Sequence, residues 1–302
     1  MSLDIIKNGI VLGSVYLLFS AGFTLVFGSL NVMNLAQGAL MTLGAFLGIY
    51  MDNGLGLPIA ATIVVAAIGA GLTNALLDVL ILRPIARNAA TQTGGHDLTP
   101  IVATLSFGTI IIGLLVHTVQ AYDFSFKNAE ALAVPFVIGG FTISSLAIAI
   151  ILCSFGITGV LYLFIAKTRA GMAIRAVAED RGMAAALGVR PNLVSAATFF
   201  VSGAMAGVCG VLVGILYGNV NVASGDSLLL FGFVIIIVGG VGSLAGTAIA
   251  SLLIGMVQTI VNVYFQSAVI DLIVFGTLFV TLLMRPNGLL GKSVLSAGVT
   301  RR

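Results

Sequence analysis

The sequence predicts an all-α, polytopic membrane protein of about eight or nine transmembrane helices, one or two of them short or broken. Three observations carry this. Hydrophobic residues make up 59% of the 302 residues and charged residues only 8%, where a soluble domain has about 25% charged. Mean hydropathy is +1.19. The apolar residues come in continuous runs rather than the alternating segments of about ten residues that a membrane barrel requires, which favours helices.

Helices are expected near 5–27, 35–50, 57–82, 101–120, 141–166, 194–216, 227–241, 244–263 and 269–284. The first is a retained helix rather than a cleaved leader: Asp4 and Lys7 make a poor positive start, and the apolar run continues to Phe27. The segments 35–50 and 227–241 reach only about 24 Å, short for a hydrocarbon core of about 30 Å, so their ends need shielding by protein. The segment 57–82 spans about 39 Å and can cross with tilt. Its Asp78 falls near one end, close to Arg83, where it can snorkel or pair. The run at 194–216 carries Gly203, Gly207, Gly210 and Gly214 on one face, suited to close helix packing. "GGVGSLAG" at 239–246 has the letters of a dinucleotide loop but joins two apolar helices, and reads as a tight turn.

Basic residues orient the chain. Arg83 and Arg87, then Lys167, Arg169, Arg175, Arg181 and Arg190, then Arg285, Lys292, Arg301 and Arg302 sort to one side, leaving Lys7 and Lys127 on the other. By the positive-inside rule the first side, with the C-terminus, is cytoplasmic.

Several function classes are disfavoured. No basic run with interleaved aromatics suggests nucleic acid, no Cys/His/Glu cluster suggests a metal, and no GxxxxGK[ST] loop suggests that the chain uses ATP alone. Cys153 and Cys209 lie inside apolar runs and read as packing residues. Asp78, Asp271 and His117 all fall near helix ends, so no mid-membrane proton relay stands out. No cofactor and no catalytic residue is expected.

The remaining intramembrane polar groups are neutral. Asn31, Asn34 and Gln37 cluster in "FGSLNVMNLAQGALMTLGAF", Thr104, Ser106 and Thr109 in "TLSFGT", and Asn219 and Asn221 in "YGNVNVASGD". Neutral amides and hydroxyls can replace water around a small polar solute without trapping it, so Asn31, Asn34, Gln37, Thr104, Thr109 and Asn219 are candidate pathway residues. They also suit plainer tasks. Asn34 could cap a helix starting near Leu35, and Ser and Thr commonly glue membrane helices together.

The loop "KTRAGMAIRAVAEDRGMAAALGVRPN" at 167–192 is mostly helix-forming, with Gly188 suited to a C-cap and Pro191 to a stop. It reads as one or two short helices outside the membrane. "TRAGMAIRAVAEDRGMAAALGV" resembles the cytoplasmic coupling loop of importer permeases of the branched-chain amino acid type, which work with ATP-binding cassettes. The Asn-rich segment, "VGGVGSLAGTAIASLLIG" (238–255) and "MRPNGLLG" (284–291) are similar to further segments of that family, in the same order, and the likeness is to the shorter of its two permease types. The polar stretch "ARNAATQTGGHD" (86–97) is longer than the resemblance leads one to expect.

The resemblance implies a single permease domain over 1–302 with a coupling loop at 167–193, in a bacterial inner membrane. It also implies a second permease subunit, two cytoplasmic ATP-binding subunits and a periplasmic or lipid-anchored substrate-binding protein, with lipid around the helices. The cargo would be a branched-chain or other amino acid, or a related small polar solute. Arg175, Glu179, Asp180, Ala184, Leu187 and Gly188 would form the coupling site. Glu179 and Asp180 would pair with basic groups on the ATPase, and Ala184 and Leu187 would fill its groove. The competing reading is a stand-alone channel or facilitator for a small neutral solute such as urea or an amide; an intramembrane enzyme has little to support it.

Overall fold

The structure is a computed structural model describing residues 2–89, 98–119, 125–126, 135–138, 141–265 and 269–291. Its helices are α1 (Ser2–Leu30), α2 (Gln37–Leu55), α3 (Ile59–Leu77), α4 (Arg83–Ala89), α5 (Thr99–Val119), α6 (Ser145–Lys167), α7 (Arg169–Glu179), α8 (Arg181–Ala186), α9 (Pro191–Tyr217), α10 (Ser224–Gly239), α11 (Leu244–Tyr264) and α12 (Ile270–Met284). A π-helical turn, Asp78–Leu82, joins α3 to α4. Six of the described helices are long and apolar enough to cross a membrane, and α10 and α12 are shorter apolar helices. The chain is a multi-pass, helical membrane protein.

α1 and α9 form the centre. α1 packs on α11, α9 and α6, and α9 packs on α3 and α2. The reason is compositional: residues 11–26 of α1 are buried all round, as expected of a helix apolar on every face. The outer helices instead keep large apolar residues exposed, such as Leu114 on α5, Leu152 on α6 and Phe279 on α12, the pattern of helices solvated by lipid.

The glycines of α9 act as read from the sequence. A Cβ on Gly203 would fall 2.5 Å from the Cβ of Asn74 and 2.6 Å from the carbonyl oxygen of Ala70 on α3. Gly207 meets Ala66 and Ala70 of α3, and Gly210 meets Met41 and Ala45 of α2. The stripe therefore seats two helices rather than one. Cys209 is buried in the same helix as a free thiol, and Cys153 is half-buried and free.

Four boundaries differ from the sequence reading. Residues 141–144 are not the start of a helix: they form strand β2 (Phe141–Ser144), paired antiparallel with β1 (Pro135–Ile138), with Phe136 opposite Ile143. The aromatic and β-branched residues there suit a strand, and Ser144 caps α6 by accepting from the Leu146 amide at 3.3 Å. Pro191 does not stop a helix. It opens α9 at N1, where its missing N–H costs nothing. α2 starts at Gln37 rather than 35 and runs to Leu55, and α10 starts at Ser224 rather than 227. The turn at 239–246 is tight, with Gly240 and Gly242 at positive φ and the hydroxyl of Ser243 accepting from the Gly246 amide at 3.1 Å. Most of the polar stretch 86–97, and Lys127, Lys292, Arg301 and Arg302, lie outside the described residues.

One end of the bundle gathers the C-terminus of α1, the 240–243 turn and residues 285–291. A Cβ on Gly28 would meet the Cα of Gly242 at 2.8 Å, and the amides of Leu289 and Leu290 donate to the carbonyls of Val238 and Gly239 at 2.8 and 3.1 Å. "MRPNGLLG" thus satisfies carbonyls left over at the end of α10.

The glycine contacts make a testable distinction. Gly203→Ala should lower the melting temperature of the purified protein by several degrees and reduce its monodisperse yield, because the added methyl meets backbone. Gly276→Ala, where nothing lies within 4 Å, should be neutral or slightly stabilising. Equal melting temperatures for the two variants would contradict the packing account.

Candidate functional site

Two sites stand out: a break in the helices that leads back into the bundle, and a pair of short helices beside the end of α1. The break lies between α1 and α2. Asn31 ends α1 in the left-handed region at φ 55°, with its amide donating to the Phe27 carbonyl at 3.0 Å; asparagine tolerates that conformation better than most residues. The chain then runs non-helically back into the bundle. Gln37, the first residue of α2, bonds Ser202 of α9, eleven residues above the start of α9 and so about 16 Å in along its axis.

Bare backbone at such depth requires partners from the protein, and side chains supply them. The hydroxyl of Thr104 accepts from the Leu35 amide at 3.2 Å and lies 3.2 Å from the Met33 carbonyl and 3.0 Å from the Ile101 carbonyl as a donor. The side-chain oxygen of Asn34 accepts from the Ala36 amide at 3.3 Å. Asn34 therefore makes a local turn rather than capping a helix at Leu35; the residue before α2 is Ala36 and lends no side-chain cap.

The amides continue into a layer. Asn34 Nδ2 donates to Asn74 Oδ1 at 2.9 Å, and Asn74 Nδ2 donates to the Phe199 carbonyl at 2.6 Å. Gln37 Nε2 donates to the Ser202 carbonyl at 3.2 Å and its Oε1 accepts from the Ser202 hydroxyl at 3.0 Å. Asn34, Gln37, Asn74 and Thr104 are fully buried within this chain. The structure thus brings Asn34, Gln37 and Thr104 together as the bracing of the break. Asn31 and Asn219 are exposed at different places, and the exposed Thr109 turns its hydroxyl to its own helix at the Leu105 carbonyl, 3.0 Å away. Asn74 and Ser202 were not singled out from the sequence, although an asparagine inside the apolar run "GLTNALL" is itself a signal.

The short helices α7 and α8 sit against the end of α1: Gly28, Leu30 and Asn31 share a small cavity of about 220 Å³ with Val177, Glu179 and Arg181. α7 is clasped to α6. Arg175 Nη1 donates to the Ile165 and Ala166 carbonyls at 2.5 and 3.0 Å, a cation on a helix C-terminus, and Thr168 caps α7 at the Gly171 amide. Asp180 caps α8, accepting from the Met183 amide at 2.8 Å. Gly188 closes α8 at φ 87°, where its amide and that of Val189 donate to the Ala185 and Ala184 carbonyls, as the sequence suggested.

A second clasp was only half legible. Asp78 pairs with Arg83 at 3.0 Å and accepts from the Ser195 hydroxyl at 2.7 Å. Arg83 Nη2 donates to the Asn192 carbonyl at 2.6 Å, and Arg181 Nη2 donates to Asn192 Oδ1 at 3.0 Å. The π-helical turn, the start of α9 and α8 are thereby tied together.

These contacts reorder the six candidate coupling residues. Ala184 is 2% exposed and packs inward, so it does not fill a partner's groove; its side of α8 is the one facing the bundle. Leu187 is 78% exposed, and so is Met183 at 63%, one turn before it. Met183 went unremarked in the sequence, where its i,i+4 spacing to Leu187 was the available signal. Arg175 and Asp180 hold the helices in place, and Glu179 is exposed without an ion pair among the described residues.

The asparagine chain is open to test. Asn74→Leu removes both amide bonds of that residue and leaves the buried Asn34 amide and its network short of a partner. It should destabilise the protein by about 2–4 kcal/mol, read as a fall in melting temperature. An unchanged melting temperature would show that the break is braced elsewhere.

Comparison with known proteins places this architecture. Residues 5–283 match the family model described as "Branched-chain amino acid transport system / permease component". The chain is 31% identical over 300 residues to the high-affinity branched-chain amino acid transport system permease protein BraD of Pseudomonas aeruginosa, covering 94% of each. It is 29% identical over 305 residues to the corresponding protein LivH of Escherichia coli, again covering 94% of each. Among solved structures, PsaBC from Streptococcus pneumoniae in complex with Fab shares the fold at a TM-score of 0.51 and 13% identity, over 95% of this chain and 97% of that one. The chain belongs to the permease family of branched-chain amino acid transport systems.

Proposed function

We propose that this permease builds one side of the passage of an ATP-driven importer for branched-chain amino acids or a closely related small polar solute. A second permease chain completes the passage, two ATP-binding subunits dock on the α7–α8 surface, and a substrate-binding protein delivers cargo at the other end. The observation that carries this reading is the rigid seating of α7 and α8. They are held by Arg175 on α6 and by Arg181 through Asn192 on α9, while Glu179, Met183 and Leu187 remain outward. A rigid, clasped surface can pass on a displacement where a loose tether cannot. Asn192 also bonds Arg83 and so reaches the π-helical turn after α3 through Asp78.

The same reading sets orientation. Arg83, Arg169, Arg175, Arg181, Arg190 and Arg285 lie on the α7–α8 side of the sequence order, which makes that end cytoplasmic in a bacterial inner membrane, with the C-terminus inside. The channel alternative gains no support from these contacts.

Two measurements check this. A single cysteine at Glu179→Cys should be labelled by an impermeant maleimide only in inverted vesicles; labelling in intact cells would reverse the orientation. Glu179→Arg combined with Leu187→Asp should reduce co-purification of the ATP-binding subunits by roughly tenfold or more, about what the loss of a central interface contact produces. It should also abolish ATP-dependent uptake while leaving membrane insertion intact. Normal co-purification and uptake would make the pair a mere tether. Asp180 is unsuitable for this test, since its replacement uncaps α8.

A further inference from the structure

Between α6 and α9 lies a cavity of about 540 Å³. Both helices pack on α1 but hardly touch each other. A gap remains between them, with the buried Leu25 of α1 at its back and the first turns of α7 closing one end. Its wall is hydrocarbon: Leu161 of α6, Ile174 of α7, and Val194, Ala197 and Val201 of α9. The gap opens sideways, since Phe164 and Leu193 line it and are 39% and 65% exposed. Val160 and Leu163, on the same stretch of α6, are also large, apolar and exposed. That surface suits lipid rather than water.

Cations rim the gap. Arg190 lines it just before α9, Arg169 precedes the lining residue Ala170, and Lys167 ends α6 one turn past Phe164. All three are exposed, and none makes a hydrogen bond or ion pair among the described residues. No carboxylate lines the gap. Glu179 and Asp180 stand at the far end of α7, where Asp180 caps α8. The carbonyl end of α6, which would repel an anion, is already covered by Arg175. An apolar slot open to lipid, with unanswered positive charge at its mouth, calls for a molecule that is hydrocarbon at one end and anionic at the other. Basic pockets between membrane helices take anionic lipid head groups in this way.

We propose that this gap is a binding site for one anionic phospholipid of the leaflet on the α7–α8 side. An acyl chain lies between α6 and α9 on Leu161, Val194 and Ala197. The phosphodiester meets Arg190, with Arg169 and Lys167 beside it. Other occupants use only half of the site. Inorganic phosphate leaves the apolar wall bare. A zwitterionic lipid brings an ammonium group against three cations. A helix of a second permease chain covers the wall but must supply its own carboxylates to the rim. The lipid bridges α6, α7 and α9, and so braces the clasped short helices from the membrane side. The site depends neither on the cargo nor on which end of the bundle is cytoplasmic.

The test uses the permease purified with its partner subunits, in phosphatidylcholine nanodiscs doped with phosphatidylglycerol that bears a diazirine on one acyl chain. Illumination should label peptides from 161–174 and 188–201. Excess unlabelled phosphatidylglycerol should suppress that label, while phosphatidylcholine and inorganic phosphate do not. Arg190→Gln should weaken the apparent affinity roughly fivefold, the worth of one basic residue at an anionic surface. Ala197→Phe fills the gap, leaves the rim charges in place and should cut labelling at least tenfold. The two variants act at opposite ends of the lipid, so each tests the site if the other fails to assemble. Label that phosphatidylcholine suppresses equally makes this an ordinary lipid-bathed face and overturns the proposal. So does label absent from these peptides, or left unchanged by both variants. Label found on the isolated permease but lost in the complex assigns the gap to a partner subunit and overturns it too.

Discussion

Everything in this fold depends on keeping backbone polar groups satisfied where water is absent. A continuous helix meets that demand by itself, and most of the chain takes this solution. The exception is the passage from Leu30 to Gln37, where the chain leaves helix and re-enters the bundle. Its groups are met by side chains from distant sequence: Thr104 from α5, Asn74 from α3 and Ser202 from α9. Each leaves its own helix intact while lending a polar tip. The break therefore requires three other helices to be in register before it can form, so the least regular segment is also among the most tightly specified.

That arrangement has a mechanical consequence. α9 receives the amide layer at Phe199 and Ser202 and, two turns earlier, the polar clasp at Asn192 and Ser195. α3 and the π-helical turn that continues it carry the matching partners, Asn74 and Asp78, one turn apart. α3 and α9 are thus bonded to each other twice, with the glycine contacts of Gly203 and Gly207 continuing the same seam. A push on α8 through Arg181 meets this rigid pair first. The break, bonded to both helices, moves with them. The π-helical turn at Asp78–Leu82 sits at the foot of the pair, and such turns often mark functional points in helices because their extra residue lets a helix end shift while its body stays fixed.

What the sequence disclosed follows from the range of the interactions. Local devices were legible: the interruption between the first two helices, the Gly188 cap, the glycine turn at 239–246 and the small-residue face of α9. All are written within a few residues. The apolar alternation that separates a strand from a helix start was too short in "FTIS" to decide, and only pairing with 135–138 settles it. Pro191 was read as a stop because a proline after a glycine cap fits both the end of one helix and the first turn of the next. The inward turn of Ala184 was hidden because a helix of six residues offers too little periodicity to define a face. The partners of Asn34 and Gln37 lie 40 and 165 residues away, and no local rule reaches that far.

The two short helices, α2 and α10, complete the logic of the break. α2 begins within the bundle and α10 at an exposed turn, and their first turns touch through Gly38 and Gly225. Two helix N-termini side by side place like partial charges together, which is unfavourable in a medium of low dielectric. The structure answers each end from its own preceding segment. At α2 the carbonyl and side-chain oxygens of Asn34 accept from Gln37 and Ala36, so that end is answered from within the chain. At α10 the carbonyls of Asn221 and Ala223 accept from the Ser224 and Asp226 amides, and the Asp226 carboxylate stands in the first turn. The glycines that bring the two helices together also make α10 sensitive to movement of α2. A shift of the α3–α9 pair that carries the break must therefore be felt at the start of α10 through the Gly38–Gly225 contact.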